Sequence, residues 1–397
     1  MPLNRTIPCV AIGLLISSFW VRPSFGQDSV ESPLAPLFGP ADVSTYGGDP
    51  QPNEGYFVQF DALYWSISAP SIKTIGLNTS RNVFYGNQPP GAGQNVVERS
   101  ETSTLDTSGF REEFTVGQRI ELGRMENGNG FMVGIYQQRD QDQEIYHDSA
   151  SIVFNDPNNQ LKGWVLNTPL GAAIILPLPV DLQNVDVRNT IDTWGVEVNY
   201  IHRFETSHFG STLELFLGAR YYEFNDNFDV YCGSGSVTPT GWANYMAGSY
   251  WETSVENHIV GPQVGVRWRK TRGRWTFNTE GRFVAGYNNQ IFYQRAGIGE
   301  SIQTGALYNP SDAAASVSTH SANENAFSPM TELRAEIEYK ITSAISLRAG
   351  WTGMWVGNVA RASNTVEYNW PTMGIDTSNC NENVFVTGVT AGVQINR

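Results

Sequence analysis

Charge is scarce in this chain: Asp, Glu, Lys and Arg make up 16% of its 397 residues, against about a quarter in ordinary globular proteins. The charge present leans acidic, at −14. No basic surface is available to neutralise phosphates, so nucleic acid is excluded as a partner. Catalytic punctuation is also missing. No G-x-S-x-G elbow occurs, and the histidines (His147, His202, His208, His258 and His320) are scattered. H-x-x-x-H and paired C-x-x-C are absent, which removes the usual zinc sites. No cofactor and no enzymatic activity are expected. Long apolar runs are lacking too. Past the N-terminal region none reaches the roughly 18 residues of a membrane helix, and Leu170–Val180 is interrupted by Pro177 and Pro179. Helical spacing is nowhere sustained.

What the chain does have is glycine, 39 residues, and an aromatic content of 12%, a composition of strands and turns. Residues 1–26 read as a cleaved export signal: Arg5, an apolar run from Ile7 to Val21, then Ser24-Phe25-Gly26 before Gln27. Residues 27–54, with Pro33, Pro36, Pro40, Pro50 and Pro52, read as a flexible leader, and 55–397 as one domain. Within it, ten segments alternate with period two: 56–68, 110–124, 130–144, 193–204, 210–226, 256–270, 274–288, 329–341, 344–358 and 384–396. Four connections are tight, at Met125–Asn129, Glu205–Phe209, Thr271–Gly273 and Thr342–Ser343, and they alternate strictly with long ones. Asn127-Gly128 in the first suits a type I′ hairpin turn, where both central residues need positive φ. Strict alternation of short and long connections is the signature of an outer-membrane barrel, with short periplasmic turns and long outer loops. The expected fold is all-β: a single antiparallel up-and-down transmembrane barrel of about ten strands. Twelve is the alternative if Trp164–Leu182 adds a hairpin.

Parity assigns the faces. Phe114, Val116, Ile120 and Leu122 share one side of the second segment, opposite Arg111, Glu113, Arg119 and Glu121. The same logic turns Glu197, Glu214, Arg220, Arg267, Glu280, Arg282 and Arg348 toward the lumen. The 329–341 segment adds Glu332, Arg334, Glu336, Glu338 and Lys340 to that face. Signs are mixed almost evenly, so a lattice of ion pairs is expected to fill a narrow bore, because an unpaired buried charge is costly. Gln118 falls on the lipid face without explanation. Aromatics gather toward segment ends like interfacial girdles: Tyr56, Phe57, Phe204, Phe209, Trp268, Trp275 and Tyr339 at the short turns, and Tyr64, Trp65, Phe110, Trp194, Tyr221, Tyr287 and Trp355 at the loops.

Three stretches carry a resemblance. Tyr56–Ser68 (YFVQFDALYWSIS), the hairpin Gly117–Tyr136 and the closing VTGVTAGVQINR are similar to the β-barrel porin family of bacterial outer-membrane proteins (planctomycete-type). The resemblance covers roughly residues 55–397 and rests on strand patterns, so it carries over no functional residue. It implies a cell outer-membrane location with membrane lipid and the barrel-assembly machinery as partners. The chain departs from many such barrels by ending in Ile395-Asn396-Arg397, without a terminal aromatic.

Two further features are open. Asp140-Gln141-Asp142, with Glu144 and His147, stands at the upper end of the third segment, with Asp140 and Asp142 inward by parity. Two carboxylates and a histidine can activate water, as in the omptin-like hydrolases, but no facing Asp-x-His answers them. Cys232 and Cys380 fall in expected outer loops of an exported chain, where either a disulfide or two free thiols fit. The expected role is a narrow or closed porin-like barrel, structural or surface-binding through its loops, with the extracellular ligand unknown and hydrolysis as the alternative. The outer loops, taken as 69–108, 145–192 and 290–328 among others, amount to nearly half of the mature chain.

Overall fold

Each period-two segment becomes a strand, and the strands hydrogen-bond edge to edge until the last meets the first. The structure is a computed structural model that describes residues 55–78, 81–86, 96–155, 179–207, 210–234, 248–298, 316–369 and 372–396. The export signal, the leader, Phe209 and all of Leu170–Val180 except its last two residues lie outside this set. In chain order the strands are β1 (Gly55–Ile67), β2 (Arg81–Gly86), β3 (Val96–Glu101), β4 (Glu113–Glu126), β5 (Asn129–Val153), β6 (Pro179–Arg203), β7 (Ser211–Ser234), β8 (Tyr250–Arg272), β9 (Trp275–Ile298), β10 (Ser316–Lys340), β11 (Ile345–Ala360), β12 (Val366–Glu367), β13 (Gly374–Ile375) and β14 (Asn381–Asn396). Ten of them form a closed antiparallel barrel in the order β1-β14-β11-β10-β9-β8-β7-β6-β5-β4. Closure comes from Phe57–Ile67 pairing with Val386–Asn396. Closing the sheet leaves no unpaired edge, a requirement for strands in lipid. The barrel closes with ten strands rather than twelve, and residues 179–182 belong to β6 instead of an added hairpin. The β2–β3 and β12–β13 hairpins are separate from the wall.

The Asn-Gly turn takes the form its residues favour: Asn127 and Gly128 have φ of 52° and 76°, and Glu126 pairs directly with Asn129. Both dihedrals are positive, as type I′ geometry demands.

Exposed apolar side chains ring the wall. Tyr56, Val58, Phe60 and Tyr64 on β1, Leu213 and Leu217 on β7, Val260, Val264, Val266 and Trp268 on β8, and Leu333 and Ile337 on β10 all face outward. The band has the height of the roughly 9–11 residues that a tilted strand needs to cross a bilayer. Trp275–Tyr339 and Phe131–Tyr200 meet near its short-turn edge at 4.8 and 5.4 Å, and Tyr64–Phe114 and Trp194–Tyr221 near its upper edge at 5.0 and 5.2 Å. Phe57, Trp65 and Phe110 do not join these girdles, because their side chains are buried on the inner side.

The wall is far taller on one side than the pattern suggested. β5, β6 and β10 each have 25 residues, β7 and β9 have 24, and β8 has 23, whereas β1, β4, β11 and β14 have 13 to 16. Much of 145–192 and 290–328, expected as loop, is therefore strand: residues 145–153, 179–192, 290–298 and 316–328 continue the wall. On β6–β8 the apolar alternation continues above the band but changes phase. On β7, Leu213 and Leu217 point outward within the band, while Phe224, Phe228 and Val230 point inward above it. Outside, lipid gives way to water; inside, charge gives way to a dry core.

Candidate functional site

A β-strand places every second side chain on one face, so eight strands deliver charge to the same level of the lumen. Seven arginines meet seven carboxylates in one connected lattice. Arg119 contacts Asp61 at 3.0 Å, Glu336 at 3.4 Å and Glu121 at 3.8 Å. Glu121 passes the chain to Arg334 at 2.7 Å, and Arg334 continues to Glu332 and Glu280. Glu332 meets Arg220, which also holds Glu197, and Glu197 accepts from Arg282 on the far side. Arg282 and Arg267 share Glu280, Arg267 and Arg203 share Glu214, and Arg348 bridges Asp61 and Glu336. Every one of these fourteen side chains is buried. Burial makes such pairing obligatory, because desolvated charges are tolerated only when compensated.

The two strands without a charge in the lattice make room for it. On β5, a Cβ at Gly134 would stand 3.0 Å from the Glu197 carboxylate; on β14, one at Gly392 would fall 2.1 Å from Asp61 Oδ1. Any larger residue at Gly392 would displace that carboxylate.

Glu338 is buried on the same face, and Lys340 is half-buried at the short-turn end. Arg111 and Glu113 are placed differently from their expected lumenal position. Both are solvent-exposed: the β4–β5 ladder ends at Gly117, and above it the Arg111 backbone is tied to β5 through the Gln141 and Gln143 side chains. Asp61, Arg203, Arg269 and the Asp226–Arg361 pair were not singled out from sequence. Asp61 was legible from parity, since it shares a face with the buried Leu63. Arg361 was not, because it lies in a connection with no alternation.

Apolar side chains pack beside and above the lattice. At the short-turn end Phe57, Met125, Met132, Ile201 and Phe216 pack together, with Arg267 and Arg282 lying over the Phe216 ring at 4.7 and 5.2 Å. Above the lattice, Leu63, Trp65, Tyr136, Tyr222, Phe224, Ile259 and Met330 form a second layer. Higher still, residues 68–78, 102–112, 361–369 and 372–380 of two connections fold inward. Ile75, Leu105, Phe110, Ala362, Tyr368 and Met373 pack against Phe228, Val230, Trp251 and Phe292 of the tall wall. Arg361 Nε stands 2.8 Å from Asp226 Oδ2 as an ion pair with both side chains fully buried, and Asn257 clamps the Ala360 backbone through both amide atoms.

Cys232 and Cys380 belong to this upper core as free, buried thiols, not a bridge across the mouth. Cys232 lies within β7 rather than in a loop, and burial pushes its thiol up to about 12.

The Asp140–Asp142 cluster is also rearranged. A β-bulge between Gln138 and Gln141 shifts the register. Gln141 becomes the buried residue, while Asp140, Asp142 and Glu144 are exposed. Asp142 accepts from Arg188 Nε at 2.6 Å and from the Thr190 hydroxyl at 3.0 Å, and the Arg188 hydrogen bond holds its carboxyl below the usual range. No group of three or more His, Cys, Asp and Glu suited to a metal exists among the described residues.

On the projecting outer wall two carboxyls are driven the other way. Burial, with Asp140, Glu223 and Glu256 nearby, raises Asp192 to about 6; burial and Glu252 raise Asp229 to about 7. A carboxyl raised above its unfolded value of about 3.9 makes the folded state bind more protons. Its contribution is therefore best below about pH 4 and is lost as pH rises through the folded value. The Asp192→Asn/Asp229→Asn variant is expected to resist urea better than the parent at pH 7.5 and to show a flatter profile between pH 5 and 7.5. An unchanged slope in that window would show that these two carboxyls are hydrated.

The model of the family described as Putative beta barrel porin-7 matches residues 57–394. No curated protein matches the sequence. Among solved structures, the outer membrane protease OmpT of Escherichia coli is similar at 7% identity and a TM-score of 0.43, over 89% of this chain and 99% of that one. A Pseudomonas aeruginosa FadL homologue (8% identity, TM-score 0.22) is matched over 86% of this chain and 89% of its own. The toluene transporter TodX of P. putida (9%, TM-score 0.15) is matched over 88% and 91%. At such identities and TM-scores, their named activities remain theirs alone.

Proposed function

Since the chain belongs to the Putative beta barrel porin-7 family, we propose that it is a closed member: an outer-membrane barrel that acts as a rigid, non-conducting support for its projecting wall and inward-folded connections. The observation that carries this reading is the buried lattice of seven arginines and seven carboxylates, with an apolar cluster beside it at the short-turn end and an apolar layer above it. Ten strands lie close to the roughly eight at which side chains alone fill a barrel, and here large side chains occupy the bore. Recognition through the upper surface then becomes the natural role, since long segments on a rigid scaffold commonly carry binding. Hydrolysis has less support. Asp142, its sharpest candidate, faces the outer wall and is committed to Arg188 and Thr190.

Planar-bilayer recording of the purified mature chain is the test. Absent or very small conductance is expected; large, stable single-channel steps would overturn the closed reading and make solute diffusion the function.

A further inference from the structure

We propose that the outer face of the β8–β9 turn, with the adjoining face of β10, is a binding site for one anionic phospholipid of the periplasmic leaflet. Arg272, Trp275, Phe277 and Ile337 line an open groove of about 400 Å³ on the lipid-facing surface. Phe277 and Ile337 pair directly across β9 and β10, and both are exposed within the apolar band. The floor of the groove is thus at the level of acyl chains. At its short-turn end the sequence KTRGR supplies three exposed cations, Lys270, Arg272 and Arg274.

This concentration is unusual for a chain of net charge −14. The acids of the neighbouring strand segments do not neutralise it: Glu280 and Glu338 are both buried inside the barrel. Cations at the membrane edge attract anionic headgroups, and Trp275 occupies the interfacial level that aromatic belts favour. An apolar trough that ends in three cations suits a molecule with an acyl chain and a phosphate on one frame. A soluble anion would leave Phe277 and Ile337 unused, and a neutral lipid would leave the cations unused. The site rests on the membrane location and not on whether the lumen conducts.

Native mass spectrometry of the full mature chain in detergent, incubated with phosphatidylglycerol or phosphatidylcholine, tests it. The wild-type protein is expected to retain one phosphatidylglycerol in preference to phosphatidylcholine. Arg272→Gln is expected to weaken that retention about fivefold, and Lys270→Gln/Arg272→Gln/Arg274→Gln to erase the preference. Arg124→Gln, at a different turn where Arg124 is paired with Glu126, is expected to leave it intact. Equal retention of the two lipids by the wild type, or an undiminished preference in the triple variant, would overturn the site. Displacement by millimolar glycerol phosphate would reassign it to a free phosphate. An unheated gel shows independently whether each variant is folded as a barrel, so a failure of the membrane reading is seen separately.

Discussion

Glu197→Gln is expected to destabilise the barrel more than any other single neutral substitution in the lumen, by about 3–5 kcal/mol. Glu197 takes two hydrogen bonds from Arg220, one of them at 3.1 Å, a charged contact from Arg282 and a bond from Gln263 at 3.3 Å. Glutamine keeps the shape and removes the charge, which leaves two guanidiniums facing each other in a dry bore. The substitution should lower the urea midpoint in detergent and deplete the folded band of unheated gels. Adding Arg282→Gln should recover part of the loss, since contacting members of one network are not additive. A loss below about 1 kcal/mol, the scale of an exposed ion pair, would mean that water reaches the lattice, and the closed reading would fall with it.

Asp226→Ala should open the top of the molecule without dissolving its membrane band. Asp226 forms an ion pair with Arg361 at 2.8 Å and accepts from the Ala362 amide at 3.1 Å and from Asn189 at 2.6 Å. These bonds pin the start of the 361–380 connection to β7. Without them Arg361 remains buried and uncompensated, a loss of several kcal/mol that the connection can relieve by leaving the core. Limited proteolysis should then cut within 361–380 while the gel mobility of the barrel survives. If the variant resists cleavage until the whole barrel melts, the connection is part of one cooperative unit with the wall.

The local alphabet determined the strands, the turns and the two faces of the membrane band. Period-two alternation and Asn127-Gly128 act through neighbours a few residues away, and even the even mix of signs on the inner face is a property of parity alone. Outcomes that depend on distant partners needed the tertiary structure. In the upper halves of β6–β8 the apolar residues take the inward parity that polar and charged residues hold lower down, because water replaces lipid outside and a core replaces the lattice within. The bulge between Gln138 and Gln141 rotated Asp142 to the outer wall, and one extra residue in a ladder inverts every face beyond it. Cys232 passed from a supposed loop to the interior because the wall extends past the membrane. Arg361 became a buried ion partner because two connections had an unfilled upper lumen to fold into; its own neighbours in sequence carry no trace of Asp226. Sequence fixes which face a side chain takes only while the medium on each side stays the same, and in this protein the medium changes halfway along the strand.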